Sequence, residues 1–429
     1  MKTVGLITEY NPFHNGHLYH IEQAKKITSA DAIVVVMSGD FVQRGTPAIM
    51  PKYLRAEMAL RAGASVVFEL PVCYATGSAE FFAMGAISFF EQLGCIDSIC
   101  FGSECGELQP LQNIAQILLE EPDEYQLVLR QNLKMGMNFP AARKNALENY
   151  LDFEQPAHSR VLDSSNNILG IEYLKALQRL NSKIEPFTIK RIDSHYHDTQ
   201  LQPEFSSASA IRRLLEFSGN SLHFEPSNSF EYSKFSNVLS DLRDQIPSCC
   251  LSIMEDYHQI SYPIYSNDYS LLLKYKLMSE TSDSLCRYLD VSVELANRIM
   301  NQLNHYFNFE QFCELLKTRD TTYTRISRTL LHILLEIKKT DLENYSKCGY
   351  HFYAHMLGFR KDAKRILSLM KSKSSIPILT KLSNVNDLPC MGNSMLLQDI
   401  YCSNLYESVI VDKFNTTFIH ECEQSIIRV

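Results

Sequence analysis

The sequence predicts an α/β protein: a doubly wound, parallel-sheet domain followed by a mainly helical second half. Three observations lead there. Short apolar runs alternate with amphipathic segments through the first hundred residues, as a parallel sheet with crossover helices requires. Turn signals fall between them, at Asn11-Pro12, Gly39, Gly63 and Gly102, where strands and helices are expected to end. Beyond Ser218 the pattern becomes helical almost throughout.

The first strand is expected at Val4-Gly5-Leu6-Ile7, an apolar run suited to burial on both faces. After the Asn11-Pro12 turn, residues 18–27 read as a helix. Residues 32–37 form the second expected strand, which stops at Ser38-Gly39-Asp40 and leads into the loop Phe41-Val42-Gln43-Arg44-Gly45. Pro51 suits the first position of a helix reaching residue 62. Residues 65–70 and 97–101 read as strands and 78–93 as a helix between them. A helical stretch, about 106–160, reads as an insertion within a first domain spanning 1–217. The polar run Asp163-Ser164-Ser165-Asn166-Asn167 offers several N-caps for a helix at 171–180. Phe187-Thr188-Ile189 is a fifth strand, and Ser206-Ser207-Ala208-Ser209 opens another helix. A linker rich in serine and asparagine, 219–237, leads into a second domain, 218–429. Its helices are expected at 235–245, 269–278, 291–305, 309–317, 325–339 and 358–372, and short strands at 376–379 and 409–411.

Composition narrows the class. The chain has 429 residues, 45% hydrophobic and 21% charged, as in an ordinary globular protein. No run of about 18 apolar residues and no signal-peptide pattern is present, so a cytoplasmic chain without a membrane partner is expected. Twelve cysteines include no C-x-x-C pair, and reduced thiols are expected rather than a metal site or disulfides. The net charge of −8 argues against a wholly basic nucleic-acid coat while allowing one basic face. The pattern sets no oligomeric state.

The chemistry concentrates at Thr3 to His20. A strand, a turn, two histidines around Gly16 and a helix start make an anion-handling arrangement, because N–H groups and the helix dipole face the ligand there. His14 and His17, three apart, fall on one side of a helical turn. In a doubly wound sheet, ligands gather beyond the carboxyl ends of the strands. That rule groups Glu9 to His17, Asp40 to Arg44 and Gly102 to Glu104 around one crevice. Asp40 and Arg44 also read as a surface ion pair, and Gly102 as a simple turn residue; Arg55 and Glu69 read as structural. Lys190 and Arg191 suit a polyphosphate or a solvated sheet edge. Ser209 and Arg212, one turn apart at a helix start, make a second anion site.

The H-x-G-H motif is that of the HIGH nucleotidyltransferase superfamily, and the longer string Glu9-Tyr10-Asn11-Pro12-Phe13-His14-Asn15-Gly16-His17 resembles the bacterial tRNA(Met) cytidine acetate ligases. The resemblance is strongest over 1–105 and 160–213. It implies a Rossmann-like HIGH nucleotidyltransferase domain that binds ATP through Ile7, Thr8, Glu9, Tyr10, Asn11 and Pro12, then His14, Asn15, Gly16, His17 and His20. Gly102, an asparagine at Asn166 or Asn167, Lys190, Arg191, Ser209 and Arg212 complete the implied ATP set. Ser207-Ala208-Ser209 resembles the triphosphate-holding serine element of small adenylyltransferases, with Ala208 where those enzymes carry serine. The implied reaction activates acetate as acetyl-adenylate and acetylates N4 of the wobble cytidine of elongator tRNA(Met). His14, His17, Asp40 and Arg44 are the expected catalytic groups, with Asp40 orienting the amine proton. Magnesium is expected on chemical grounds, with no dedicated carboxylate cage in view.

Basic residues cluster in the helical half. Lys317, Arg319, Arg325, Arg328, Arg360 and Lys364 are the expected RNA contacts, with Tyr323 a candidate stacking platform. Two alternatives share part of these features: a small-molecule adenylyltransferase without an RNA substrate, and a non-catalytic RNA-binding protein on a vestigial nucleotide fold.

Overall fold

A computed structural model describes residues 1–137, 139–151, 161–191, 207–218, 237–383, 385 and 388–429. The expected linker up to residue 236 and Ser206 lie outside the described residues. In chain order the strands are β1 (Thr3–Thr8), β2 (Ala32–Ser38), the short pair β3 (Phe41–Val42) and β4 (Thr46–Pro47), β5 (Val66–Leu70), β6 (Ser98–Ser103), β7 (Glu185–Lys190), β8 (Ala354–Phe359), β9 (Ile378–Leu379) and β10 (Ile427–Arg428). The main sheet runs β10-β8-β5-β2-β1-β6-β7, with β9 beside β8. Strands β5, β2, β1, β6 and β7 are parallel. The order reverses between β1 and β6, and that point opens the crevice at their carboxyl ends.

Burial explains the layering. β2, AIVVVMS, is buried at every position, and its side chains alternate between two cores. Ile33, Val35 and Met37 join Val4, Leu6 and the helices α1 (Asn15–Thr28) and α2 (Lys52–Arg61). Val34 and Val36 face Phe68, Phe89 and Phe90, together with Leu330, Tyr353 and Ile410 from the far end of the sequence. The expected insertion forms helices Leu108–Glu120, Asp123–Lys134 and Phe139–Tyr150, the first burying Leu111, Ile114 and Leu118.

Several expectations differ from what is observed; the helix expected at 171–180 already starts at Ser165, and that expected at 325–339 runs Tyr323–Leu334. α1 begins at Asn15, not residue 18, because His14 caps it. Residues 358–372 do not form one helix: 354–359 is β8, antiparallel to β5, and the helix starts at Lys364. Gly358 pairs with Val67 in a space filled by Leu60 and Ile427, so sheet completion overrides the helical reading. Residues 409–411 lie inside the 25-residue helix Cys390–Phe414 rather than in a strand; burying Val409 and Ile410 on the shared core outweighs their β propensity. With β8 and β10 the sheet takes strands from beyond residue 218, across the expected boundary at 217.

Glycine is required at position 45. Its φ is +77°, and a Cβ there would overlap the backbone of Ser327 and Arg328. Ser327 Oγ also donates to the Gly45 carbonyl at 2.7 Å. Gly45→Ala is therefore expected to lower the unfolding free energy by about 1–3 kcal/mol, the cost of overpacking a closed contact. A urea midpoint equal to wild type would show that the hairpin and the helix Tyr323–Leu334 are not in fact pressed together.

Candidate functional site

The cavity sits where β1 and β6 end. Tyr10 turns the chain there in the left-handed region, φ +47°, which costs a bulky residue about 1–3 kcal/mol. Its fully buried ring is held against Phe13 at 4.8 Å and His17 at 4.9 Å. Beneath it, the buried Arg55 guanidinium donates to the carbonyls of Glu9 (2.6 Å), Ser38 (3.1 Å) and Gly39, and to Met50 (2.9 Å). One side chain thus ties the ends of β1 and β2 together. Asn11 Oδ1 accepts from the Ile49 N–H at 2.7 Å.

The two histidines are set by the helix start. His14 Nδ1 accepts from the Gly16 N–H at 3.0 Å, and His17 Nδ1 from the His14 N–H at 3.3 Å, a reciprocal capping box. Accepting at Nδ1 requires that each neutral ring carry its proton on Nε2. The rings stack with centroids 3.8 Å apart. Burial, then the cations Arg191 and Arg212, push the His14 pKa down to about 3. Burial, then His14 and Arg191, hold His17 well below the usual imidazole value. Burial also brings His20 down to about 4, and its Nε2 lies 3.0 Å from the Cys100 carbonyl. The pair is therefore two neutral N–H donors at the positive end of a helix.

The same cavity is lined by Arg191, Ser207, Ser209 and Arg212, and by Gln43, Arg44 and Thr46 of the hairpin. Arg212 donates to the Asn11 carbonyl at 2.6 Å and to Ser209 Oγ at 3.0 Å, joining the helix Ala208–Ser218 to the turn after β1. Ser207 Oγ accepts from the Ala210 N–H at 3.1 Å and starts that helix. Gly102 lines the cavity under Arg191, whose Cγ would lie 3.2 Å from a Cβ. The apolar wall is Ile7, Phe82, Phe101, Leu169 and Tyr173.

Most of the expected set meets here: Ile7, Thr8, Glu9, Tyr10, Asn11, His14, Gly16, His17, His20, Arg44, Gly102, Asn166, Arg191, Ser209 and Arg212 all line the one cavity. Five expected residues do not. Pro12 is buried in the turn. Asn15, the first residue of α1, turns away from the cavity and donates to the Asp244 carbonyl at 2.8 Å. Asn167 turns into the loop after β6, accepting from the N–H groups of Glu104 (2.9 Å) and Cys105 (3.2 Å), whereas Asn166 faces the cavity. Lys190 alternates with Ile189 and Arg191 along β7, so it emerges on the opposite face, exposed beside Gly106.

Asp40 is the clearest departure. It is buried behind the hairpin, accepting from the Lys52 N–H at 2.9 Å, with Lys52 Nζ 3.8 Å away. Burial pushes its pKa up to about 6 against the pull of Lys52. It serves the start of α2, not the cavity. Lys52 Nζ also meets Glu69 and Glu421, each at 2.8 Å, and Ser403 Oγ at 2.7 Å. His355 Nδ1 lies 2.7 Å from Glu69. Glu69, His355 and Glu421 have metal-ligand spacing, but the ammonium already occupies their centre.

Sequence reading did not single out Thr46, Tyr19, Phe101 or Tyr173 for the site; Gln43 entered only within the loop Asp40 to Arg44, and Ser207 only within the serine element at a helix start. Of the expected RNA contacts, Arg319 and Arg325 are exposed. Lys317 is exposed and pairs with Glu314 at 3.5 Å, and Arg328 is tied to Asp290 at 3.2 Å. Tyr323 packs half-buried on the core rather than standing out as a platform.

A parallel sheet with two stacked neutral imidazoles at the first helix start, lining one cavity with arginines and serines, defines a nucleotidyl transferase of the HIGH class, and the HIGH Nucleotidyl Transferase family model matches residues 1–420. A tRNA(Met) cytidine acetate ligase of Acetivibrio thermocellus is 42% identical over 389 residues, 90% of this chain and 89% of that one. Another, of Caldanaerobacter subterraneus, is 39% identical over 425 residues, covering 98% and 99%. The crystal structure of Thermotoga maritima TmcAL bound with alpha-thio ATP superposes with a TM-score of 0.87 at 32% identity, covering 100% of both chains. The chain belongs to the tRNA(Met) cytidine acetate ligase family. No helix among the described residues is long and apolar enough to cross a membrane.

Proposed function

We propose that this chain joins acetate to ATP and passes the acetyl group to N4 of the wobble cytidine, position 34, of elongator tRNA(Met), working in the cytoplasm. An acetate oxygen attacks the α-phosphorus and pyrophosphate leaves. The cytidine amine then attacks the acetyl carbon, AMP leaves, and the amine loses its proton to give N4-acetylcytidine.

The observation that carries this reading is that the His14/His17 donors line one cavity together with Arg191, Ser209 and Arg212. Neutral Nε2–H groups would donate to phosphate oxygens as charge moves onto the leaving pyrophosphate, and the arginines would neutralise it. The apolar wall of Phe82, Phe101 and Tyr173 suits an adenine. Glu9, the one carboxylate among the described lining residues, already accepts from the Gln43 N–H at 2.8 Å. Such a donor set fits a magnesium ion held chiefly by phosphate oxygens, which is how magnesium sits with few protein ligands. The second step needs alignment more than a base, since an amine meets a mixed anhydride, consistent with Asp40 lying elsewhere.

Labelled acetate, ATP and bulk tRNA are expected to place acid-stable label on one tRNA species. Acetate-dependent ATP–pyrophosphate exchange is expected without tRNA. Exchange with no label on any tRNA would mark a small-molecule adenylyltransferase, and neither signal would leave a binding protein.

A further inference from the structure

Two groups of basic residues in the second half of the chain lie at opposite ends of the sheet. One lies beside the cavity. The helix Tyr323–Leu334 is pressed by its second turn onto the tip of the β3–β4 hairpin, through the Ser327 hydroxyl on the Gly45 carbonyl. Arg44, next to Gly45, lines the cavity. Arg325 stands exposed two residues before that contact, on the solvent side of the same first turns, and Arg319 is exposed just ahead of the helix. Arg328, although in the same run, is engaged with Asp290.

The other group, Arg360, Lys364 and Arg365, follows β8. The Arg360 N–H donates to the Ser65 carbonyl at 3.0 Å, which places this group at the amino end of β5. The cavity lies at the carboxyl ends of the parallel strands, so a strand length of about 20 Å separates the two. Arg360 is also paired with Asp362.

Resting on the acetyl-transfer reading above, we infer that the RNA is held against the face formed by the β3–β4 hairpin and residues 317–325, with Arg319 and Arg325 on its phosphates. The group at 360–365 takes no part. A cytidine amine must reach an acyl group generated beside His14 and His17, so the contacts that present it belong at that end of the sheet. The chain carries a net charge of −8, so a polyanion is drawn to a local basic rim rather than to the surface at large. Arg319 and Arg325 belong to the segment whose helix meets the hairpin at Gly45, next to Arg44 of the cavity lining.

Two double variants test this, each checked by thermal melting, with tRNA affinity measured between 50 and 200 mM salt. Arg319→Ser with Arg325→Ser is expected to weaken tRNA binding about tenfold and to flatten the log–log salt slope by about two, one for each lost phosphate contact. Arg360→Ser with Lys364→Ser is expected to leave affinity and slope at wild-type values. Loss of affinity in the second variant but not the first, or in neither, overturns the assignment. Wild-type chain that binds tRNA without ever acetylating it sinks the proposed reaction instead, and leaves the location of the RNA face to be decided by the binding data.

Discussion

Replacing His17 with asparagine is expected to lower acetate-dependent ATP–pyrophosphate exchange by about 10²–10³-fold, the scale of removing one oriented donor from a charge-developing step. The choice of asparagine follows from the capping box. His17 Nδ1 accepts from the His14 N–H, and the asparagine Oδ1, like Nδ1 attached to Cγ, offers an acceptor the same number of bonds from the backbone. His17→Ala removes cap and donor together and adds about 1 kcal/mol of instability, which would blur the reading. Tm and exchange rate should therefore part company in His17→Asn: the first nearly unchanged, the second collapsed. Because the wild-type ring is neutral, held there by burial and by His14 and Arg191, its titration should not shape the wild-type exchange rate between pH 8 and 6. An exchange rate within a few-fold of wild type would remove His17 from the phosphate-binding role.

Lys52→Met is expected to cost about 3–5 kcal/mol of stability, the range for leaving buried charges without their partner. Burial alone would discharge Lys52, but Glu421, Glu69 and Asp40 hold its ammonium well above the ordinary value. Reciprocally, Lys52 overcomes the burial of Glu69 and holds that carboxyl down to about 2. Without the ammonium, Glu69 and Glu421 face one another in a site that excludes water. The same side chain fastens Ser403 of the helix Cys390–Phe414 to the base of the hairpin. Urea unfolding monitored by circular dichroism would register the loss as a lower midpoint. An unchanged midpoint would show that the carboxylates simply take up protons and the cluster contributes nothing net. Asp399 is already pushed up to about 7 by burial and Glu69, so the neighbourhood has one acid ready to be neutral.

How far the sequence could be read depends on the range of the interactions involved. The strand β2 was legible because seven consecutive buried positions have no other economical arrangement than a two-faced central strand. The histidine site was legible because His14, Gly16 and His17 act within a single helical turn, where spacing alone fixes geometry. Asn166 and Asn167 were not separable in this way. They are adjacent at a helix start, and only the Glu104 loop, 62 to 63 residues away, decides which turns outward. Asp40 was misplaced for the same reason: its loop position is local, but its partners Lys52, Glu69 and Glu421 are not. Residues 358–359 were read into a helix because nothing nearby reveals that β5 has an open edge awaiting the strand that they end.

The sequence by itself determined the alternation of strand and helix, the caps and the turn that puts two imidazoles at a helix start, since each arises from residues within about 15 positions of one another. Tertiary structure alone decided which cations face the cavity, which basic cluster lies beside it, and that Gly45 meets Ser327 across 282 residues. The physical reason is that these pairings are set by the closing of a common core, where burial and steric fit over the whole chain outweigh any local preference.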